Sequence, residues 1–190
     1  MRGEWCYWNQ YFSVEECEKI LELGLTIPAE DAKLGHDGQS QINQWRKSKI
    51  RFIEQSDPRF TFLFDKMWKL ALQSNSDWFN FHITRISYIQ LAEYADTYQG
   101  EYKRHNDVFW INDDPYYHRK LTAVVQLTDP STYEGGNLEL FTAQEKPNVE
   151  ESRNQGTALL FPAFLDHQAT AVTKGTRYSL ACWFDGPKWR

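Results

Sequence analysis

The sequence predicts a mainly β chain, a sandwich or jelly roll buttressed on one side by helices. Three observations carry this. Helical patterning is confined to the first 77 residues, and from residue 78 the hydrophobic period changes from about 3.6 to two. Turn signals at Asp129-Pro130, Gly135-Gly136, Pro162 and Lys174-Gly175 then cut the remainder into seven or eight short strands. Two helices followed by a run of closely spaced strands is the pattern of such a layered β fold.

The elements follow in order. "YFSVEECEKILELG" (11–24) offers Ser13 as an N-cap, Glu16 as its capping-box partner and Gly24 as a terminator. Val14, Cys17, Ile20 and Leu21 fall on one face, so an amphipathic helix is expected. Residues 28–44 are polar and Gly-bearing and read as a long loop, and "WRKSKIRFIE" (45–54) reads as a strand. Its basic run, Arg46, Lys47, Lys49 and Arg51, is expected on a solvated face. "DPRFTFLFDKMWKLALQSNS" (57–76) has Asp57 to cap, Pro58 at the first helical position, and Phe60, Leu63, Phe64, Met67, Leu70 and Ala71 at helical spacing. The strands expected after it are "WFNFHITRISYIQLAEY", "EYKRHNDVFW", "KLTAVVQLT", "NLELF", "GTALLFP", "HQATAV" and "RYSLACWF".

Composition narrows the function. A chain of 190 residues favours one domain, with 1–77 as helical support and 78–190 as the β core, and is long enough to bury a core without staples. Aromatics make up 16%, which suits a thick aromatic core or an aromatic-lined cleft. A formal charge of −5 argues against nucleic acid as the main partner. Cys6, Cys17 and Cys182 are odd in number and widely spaced, which points away from a disulfide framework and toward a reducing cytoplasm. The first residues lack the pattern of a signal peptide, and no apolar run reaches membrane-spanning length, so a soluble protein is expected.

The chemistry centres on "YKRHNDVFW" (102–110). In a strand His105 and Asp107 would face the same side. A neutral imidazole and a carboxylate aimed at one point suit a divalent metal, and equally an ion-paired histidine. His167, in "LFPAFLDHQATAV", is a third candidate ligand some sixty residues downstream, and Arg177 follows at the start of the last long strand. Two histidines, one carboxylate and a distant cation match the facial triad that holds Fe(II) and leaves positions open for bidentate cosubstrate and O2.

The chain resembles the Fe(II)- and 2-oxoglutarate-dependent dioxygenases of the prolyl 4-hydroxylase-like branch, in four ordered pieces. These are "YADTYQGEYKRHND", "LTAVVQLTDPSTYEGGNLELF", "GTALLFPAFLDHQATAV" and "GTRYSLACWF", with "FSVEECEKIL" resembling the family's opening helix. In length the chain is similar to the stand-alone bacterial and phage members. The resemblance implies a double-stranded β-helix core buttressed by α-helices. It implies that His105, Asp107 and His167 bind iron and that Arg177 grips the distal carboxylate of 2-oxoglutarate through its planar fork. Tyr94 would line the cosubstrate pocket, and Gln126 would stand beside the distal carboxylate. The implied cofactors are Fe(II), 2-oxoglutarate and O2, with ascorbate as an optional reductant.

The implied reaction is hydroxylation of an unactivated C–H bond, first of all prolyl 4-hydroxylation of a peptide or protein, with succinate and CO2 as coproducts. A free amino acid or small molecule is an alternative substrate. A nucleobase dealkylase is another, disfavoured because Trp183 stands where that branch carries a second Arg. Halogenation is disfavoured because Asp107 fills the position a halide would need. A cupin-like ligand-binding domain is the non-enzymatic alternative, and either a monomer or a homodimer is compatible. Phe109, Trp110, Tyr116 and Tyr117 line the substrate mouth or pack the core, with Trp183 as a pocket wall. His36, His82 and His118 read as surface or supporting residues.

Overall fold

The computed structural model describes residues 3–32, 45–108 and 116–189. Helix α1 (Val14–Gly24) starts on the expected capping box: Ser13 Oγ accepts from the Glu16 N–H, and Glu16 Oε2 accepts from the Ser13 N–H. Cys17 and Ile20 are buried, whereas Val14 is exposed at the first turn and stands outside the packed face. Gly24 is the last helical residue rather than the terminator; a Cβ there would lie 2.6 Å from Leu91 Cδ2, so close packing sets its size. Asp57 caps through the Arg59 N–H, but Pro58 opens a 3-10 turn (58–60) that leads into helix α2 (Thr61–Ser74). Leu63, Phe64, Met67, Leu70 and Ala71 form its buried stripe, at the spacing expected.

The strands are β1 (Cys6–Trp8), β2 (Glu30–Asp31), β3 (Arg46–Lys47), β4 (Lys49–Ile53), β5 (Arg85–Ala95), β6 (Glu101–His105) and β7 (Tyr117–Gln126). They continue as β8 (Glu134–Gly135), β9 (Leu138–Leu140), β10 (Ala158–Pro162), β11 (His167–Ala169), β12 (Val172–Lys174) and β13 (Thr176–Pro187). A seven-stranded sheet runs β1-β10-β7-β13-β5-β4-β2, a four-stranded sheet runs β3-β6-β11-β9, and β12 pairs with β8. All pairings are antiparallel.

Period two explains how the sheets sit. On β7, β10 and β13 one parity (Leu121, Ala123, Val125; Ala158, Leu160; Leu180, Cys182, Phe184) packs on the helices with Phe12, Phe60 and Met67. The opposite parity (Val124, Leu159, Phe161) packs against Leu138, Leu140 and Leu165 beneath the four-stranded sheet. Buried apolar area on both faces of the large sheet holds three layers together. The space between the two sheets is where the polar residues of the site lie.

Several sequence expectations are corrected. Residues 78–84 are not strand. A π-type turn (Asn75–Phe79) ends at Asn80 with φ 56°, and the Asn75 side-chain amide bonds both the N–H and the C=O of Phe81. The strand expected through Trp110 ends at His105, and "HQATAV" splits into β11 and β12, which belong to different sheets. A short helix α3 (Val149–Arg153), capped by Asn148, was not anticipated. The basic run is solvated only in part: Lys49 is exposed and Lys47 pairs with Glu101 at 3.1 Å, but Arg51 is buried and paired with Glu93 at 3.0 Å, and Arg46 turns inward. His36, Phe109 and Trp110, and most of the 28–44 loop, lie outside the described residues.

Cys6, Cys17 and Cys182 are unpaired and buried, and burial pushes the Cys6 and Cys17 thiols up to about 11 and about 12. Among the described residues no helix is long and apolar enough to cross a membrane.

Candidate metal centre

His105 ends β6 and His167 begins β11, and the two are direct cross-strand partners in the four-stranded sheet. Asp107 lies two residues beyond the strand, where its N–H donates to the Ala163 carbonyl at 2.8 Å. Its Oδ2 accepts from the Thr122 hydroxyl on β7 at 2.6 Å. The histidines therefore belong to one sheet, while the carboxylate is tied to the other.

The ligand atoms of the three residues lie within 4.8 Å of one another, the only such metal-competent group among the described residues. His105 Nδ1 lies 2.7 Å from the Lys103 carbonyl, and His167 Nδ1 lies 2.9 Å from the Leu165 carbonyl. A carbonyl only accepts, so each Nδ1 carries the proton and each Nε2 presents a lone pair. Those Nε2 atoms stand 3.7 and 3.5 Å from the Asp107 oxygens, beyond hydrogen-bond range. Two lone pairs and a carboxylate directed at one another repel unless a cation sits between them. This donor set, with its backbone-fixed tautomers, fits a divalent metal of the Fe(II) type.

Burial lowers the His105 imidazolium to about 4, with His167 adding to that and Asp107 opposing it. Burial opposes ionisation of Asp107, but His167, His105, Arg119 and the Thr122 hydroxyl outweigh it and hold the carboxyl below its usual value. A neutral imidazole at His105 and an ionised carboxylate at Asp107 are protonation states that ligation requires. Tyr102 stacks on the His105 ring, centroids 3.4 Å apart, and fixes its plane.

The cavity at the triad is lined further by Arg46, Gln90, Val124, Arg177, Ala181 and Trp183. Arg177 is 2% exposed; its Nε donates to Gln126 Oε1 at 3.0 Å, and its guanidinium lies 5.3 Å from the Tyr94 ring centroid. No carboxylate pairs with it among the described residues, although an interior cation needs an anion. Gly136 makes room for it: a Cβ there would lie 2.9 Å from Arg177 Cδ, and its φ of 63° suits glycine. The structure thus brings His105, Asp107, His167 and Arg177 to one cavity, with Tyr94 and Gln126 against Arg177.

Other expected residues lie elsewhere. Tyr116 is exposed and Tyr117 packs under Arg85, and neither lines this cavity. His82 is exposed, and His118 accepts from the Trp189 N–H. Sequence reasoning missed Thr122, Gln90, Tyr102 and Arg46. Thr122 shares the parity of Val124 and Gln126 on β7, and Gln90 that of Tyr94 on β5, so a polar residue at an inward position was the available signal.

Comparison with known proteins agrees with this geometry. The sequence profile of the 2OG-Fe(II) oxygenase superfamily matches residues 89–185, the stretch that holds all four site residues. A PKHD-type hydroxylase of Teredinibacter turnerae is 36% identical over 63 residues, 33% of this chain and 27% of that protein. The chain thus spans about a quarter of the length of the curated relatives it matches. A prolyl-4-hydroxylase of Pseudomonas putida superposes with a TM-score of 0.72 at 18% identity, covering 96% of this chain and 92% of that one. A Trichoplax adhaerens prolyl hydroxylase, solved with a hypoxia inducible factor peptide fragment, gives 0.73 at 19% identity over 96% and 83%. These likenesses show the double-stranded β-helix fold. With the profile covering half its length, the chain belongs to the 2OG-Fe(II) oxygenase superfamily.

Proposed function

We propose that this chain is a 2-oxoglutarate-dependent hydroxylase in which His105, Asp107 and His167 hold Fe(II) and Arg177 anchors the cosubstrate. The observation that carries the reading is the convergence of two deprotonated Nε2 atoms and a carboxylate within 4.8 Å. When bound, Fe(II) with 2-oxoglutarate activates O2 to hydroxylate a C–H bond, with succinate and CO2 as coproducts. The chain's own residues supply the geometry. Thr122 and the Ala163 carbonyl orient Asp107, and Tyr102 holds the His105 plane. Arg177, desolvated and backed by Gln126 and Tyr94, gives a carboxylate its fixed partner.

The substrate reading is a prolyl residue of a peptide or protein, supported by the prolyl hydroxylases among the fold neighbours. Residues 1–190 are taken as one oxygenase unit, cytoplasmic and either monomeric or dimeric; the free, buried thiols suit a reducing compartment. The test is an anaerobic titration with Fe(II) and 2-oxoglutarate, followed by succinate release with proline-containing peptides in air, with and without ascorbate. A visible charge-transfer band that needs both components is expected. No band and no succinate under any condition would overturn the reading.

A further inference from the structure

We propose that Arg46 is an anion anchor for the substrate, so that the molecule oxidised here carries a carboxylate near the carbon that is attacked. This rests on the hydroxylase reading above and goes further by naming the recognised group.

Arg46 lies on β3, opposite Tyr102 in the register with β6, and lines the same cavity as the triad. Its guanidinium is held on three sides by neutral groups. Nε donates to Ser48 Oγ at 2.8 Å, Nη2 donates to Gln90 Oε1 at 2.8 Å, and the Tyr102 ring lies 4.4 Å away. Arg51, Arg59, Arg85 and Arg104 each meet a carboxylate, whereas Arg46 meets none among the described residues. The fork is immobilised, and its Nη1 edge makes no hydrogen bond among those residues. The Gln90 amide nitrogen likewise makes none, which provides a second donor beside it. A pre-positioned cation with a vacant edge, next to an unused amide donor, is the arrangement that recognises a planar carboxylate.

The cosubstrate does not account for Arg46. Arg177 pairs with Tyr94 across β5 and β13, while Gln90 pairs with Ala181 four residues farther along. At about 3.3 Å per residue that separates the two rows by about 13 Å. The two guanidinium groups are anchored in different rows, Arg177 on Gln126 and Arg46 on Gln90. 2-Oxoglutarate has two carboxylates, and the proposed reading places one on the metal and the other on Arg177. The anion for Arg46 must come from the second reactant, and Tyr102 links it to the metal site through its stack on His105. Two sources offer this chemistry: the α-carboxylate of a free amino acid, or an acidic residue beside the target in a peptide.

The test uses matched pairs that differ only in charge: L-proline against L-prolinamide, the other free amino acids against their amides, and Pro-Glu against Pro-Gln peptides. Binding is read by calorimetry with Mn(II) and 2-oxoglutarate, which need no turnover, and succinate yield is read with Fe(II) in air. In the wild type the best ligand should prefer its carboxylate form at least about tenfold, as charge-assisted hydrogen bonds give. In Arg46→Gln that ratio should fall to within about twofold, and Arg46→Lys should retain part of it. The ratio is internal to each variant, so a general loss of activity does not mimic the result. A preference among free amino acids alone assigns the α-carboxylate; one shown by the Pro-Glu peptide assigns the acidic side chain. No preference in the wild type, no binding of any carboxylate form at millimolar concentration, or a preference that survives in Arg46→Gln overturns the proposal. If wild-type protein fails to bind 2-oxoglutarate at all, the hydroxylase reading itself has failed.

Discussion

Replacing Arg177 by methionine should have opposite effects on cosubstrate binding and on the stability of the empty protein. The guanidinium is almost fully buried, and Gln126 is its single hydrogen-bond partner among the described residues. Removing one member of a buried, charge-assisted pair costs about 3–5 kcal/mol, so 2-oxoglutarate affinity should fall about a hundredfold to a few thousandfold. The same burial makes the unpaired cation a burden on the apoprotein, and a well-packed apolar replacement commonly returns about 1–4 kcal/mol. The assay is thermal unfolding with metal fixed and 2-oxoglutarate varied. At about 100 times the wild-type Kd, the ligand adds about 2.7 kcal/mol, or a rise of about 5–10 °C for a chain of this size. At that concentration Arg177→Met, weakened a hundredfold, should gain only about 0.4 kcal/mol and move by under about 2 °C. Its ligand-free midpoint should match or exceed that of the wild type. A variant that keeps the full ligand-induced shift, or whose empty form loses several kcal/mol, would show that Arg177 is a structural cation and refute the assignment.

Three further outcomes are expected. His167→Ala and Asp107→Ala should each remove most Fe(II) affinity and all coupled succinate formation while the circular dichroism spectrum is kept; wild-type metal affinity in either would break the triad. Thr122→Val, which deletes the 2.6 Å hydrogen bond to Asp107, should weaken metal binding about 10–100-fold in a direct titration. Metal-free protein should lose stability on acidification. With His105 lowered from 6.5 to about 4, the unfolded chain binds the proton first between those values, so stability rises with pH across that window and is lost as pH falls through it. The effect is worth at most about 3 kcal/mol; urea midpoints measured across it should flatten in His105→Gln.

Much of this was legible before the structure. The capping box at Ser13 and the stripe from Leu63 to Ala71 are local signals, and local signals survive folding. Period two in β7 and β13 announced which side chains would share a face, while the family resemblance alone implied that Gln126 and Arg177 stand together, as their hydrogen bond has them. What escaped depends on distant partners. Arg46 and Arg51 look like ordinary surface charges until Gln90 and Glu93 arrive from β5 to receive them. "WFNF" alternates like a strand, yet Asn75 reaches forward to Phe81 and closes a turn, so a side-chain hydrogen bond overrides the pattern. Asp107 was expected on the strand of His105; its backbone instead leaves the strand and bonds to Ala163. The alignment of ligands survives this departure because Thr122 holds the carboxylate from the other side.

That departure has a mechanical consequence. His105 and His167 ride on the small sheet, while Asp107 is moored to the large one, so an ion bound by all three acts as a rivet through two plates. Drawing the rivet should loosen the small plate first, since the large sheet is secured separately by the helices on its far face. Amides of β6 and β11 would then exchange with solvent at a rate governed by free metal concentration, while those of β7 and β13 would hardly respond. Fe(II) availability would thereby set the rigidity of half the barrel as well as its chemistry.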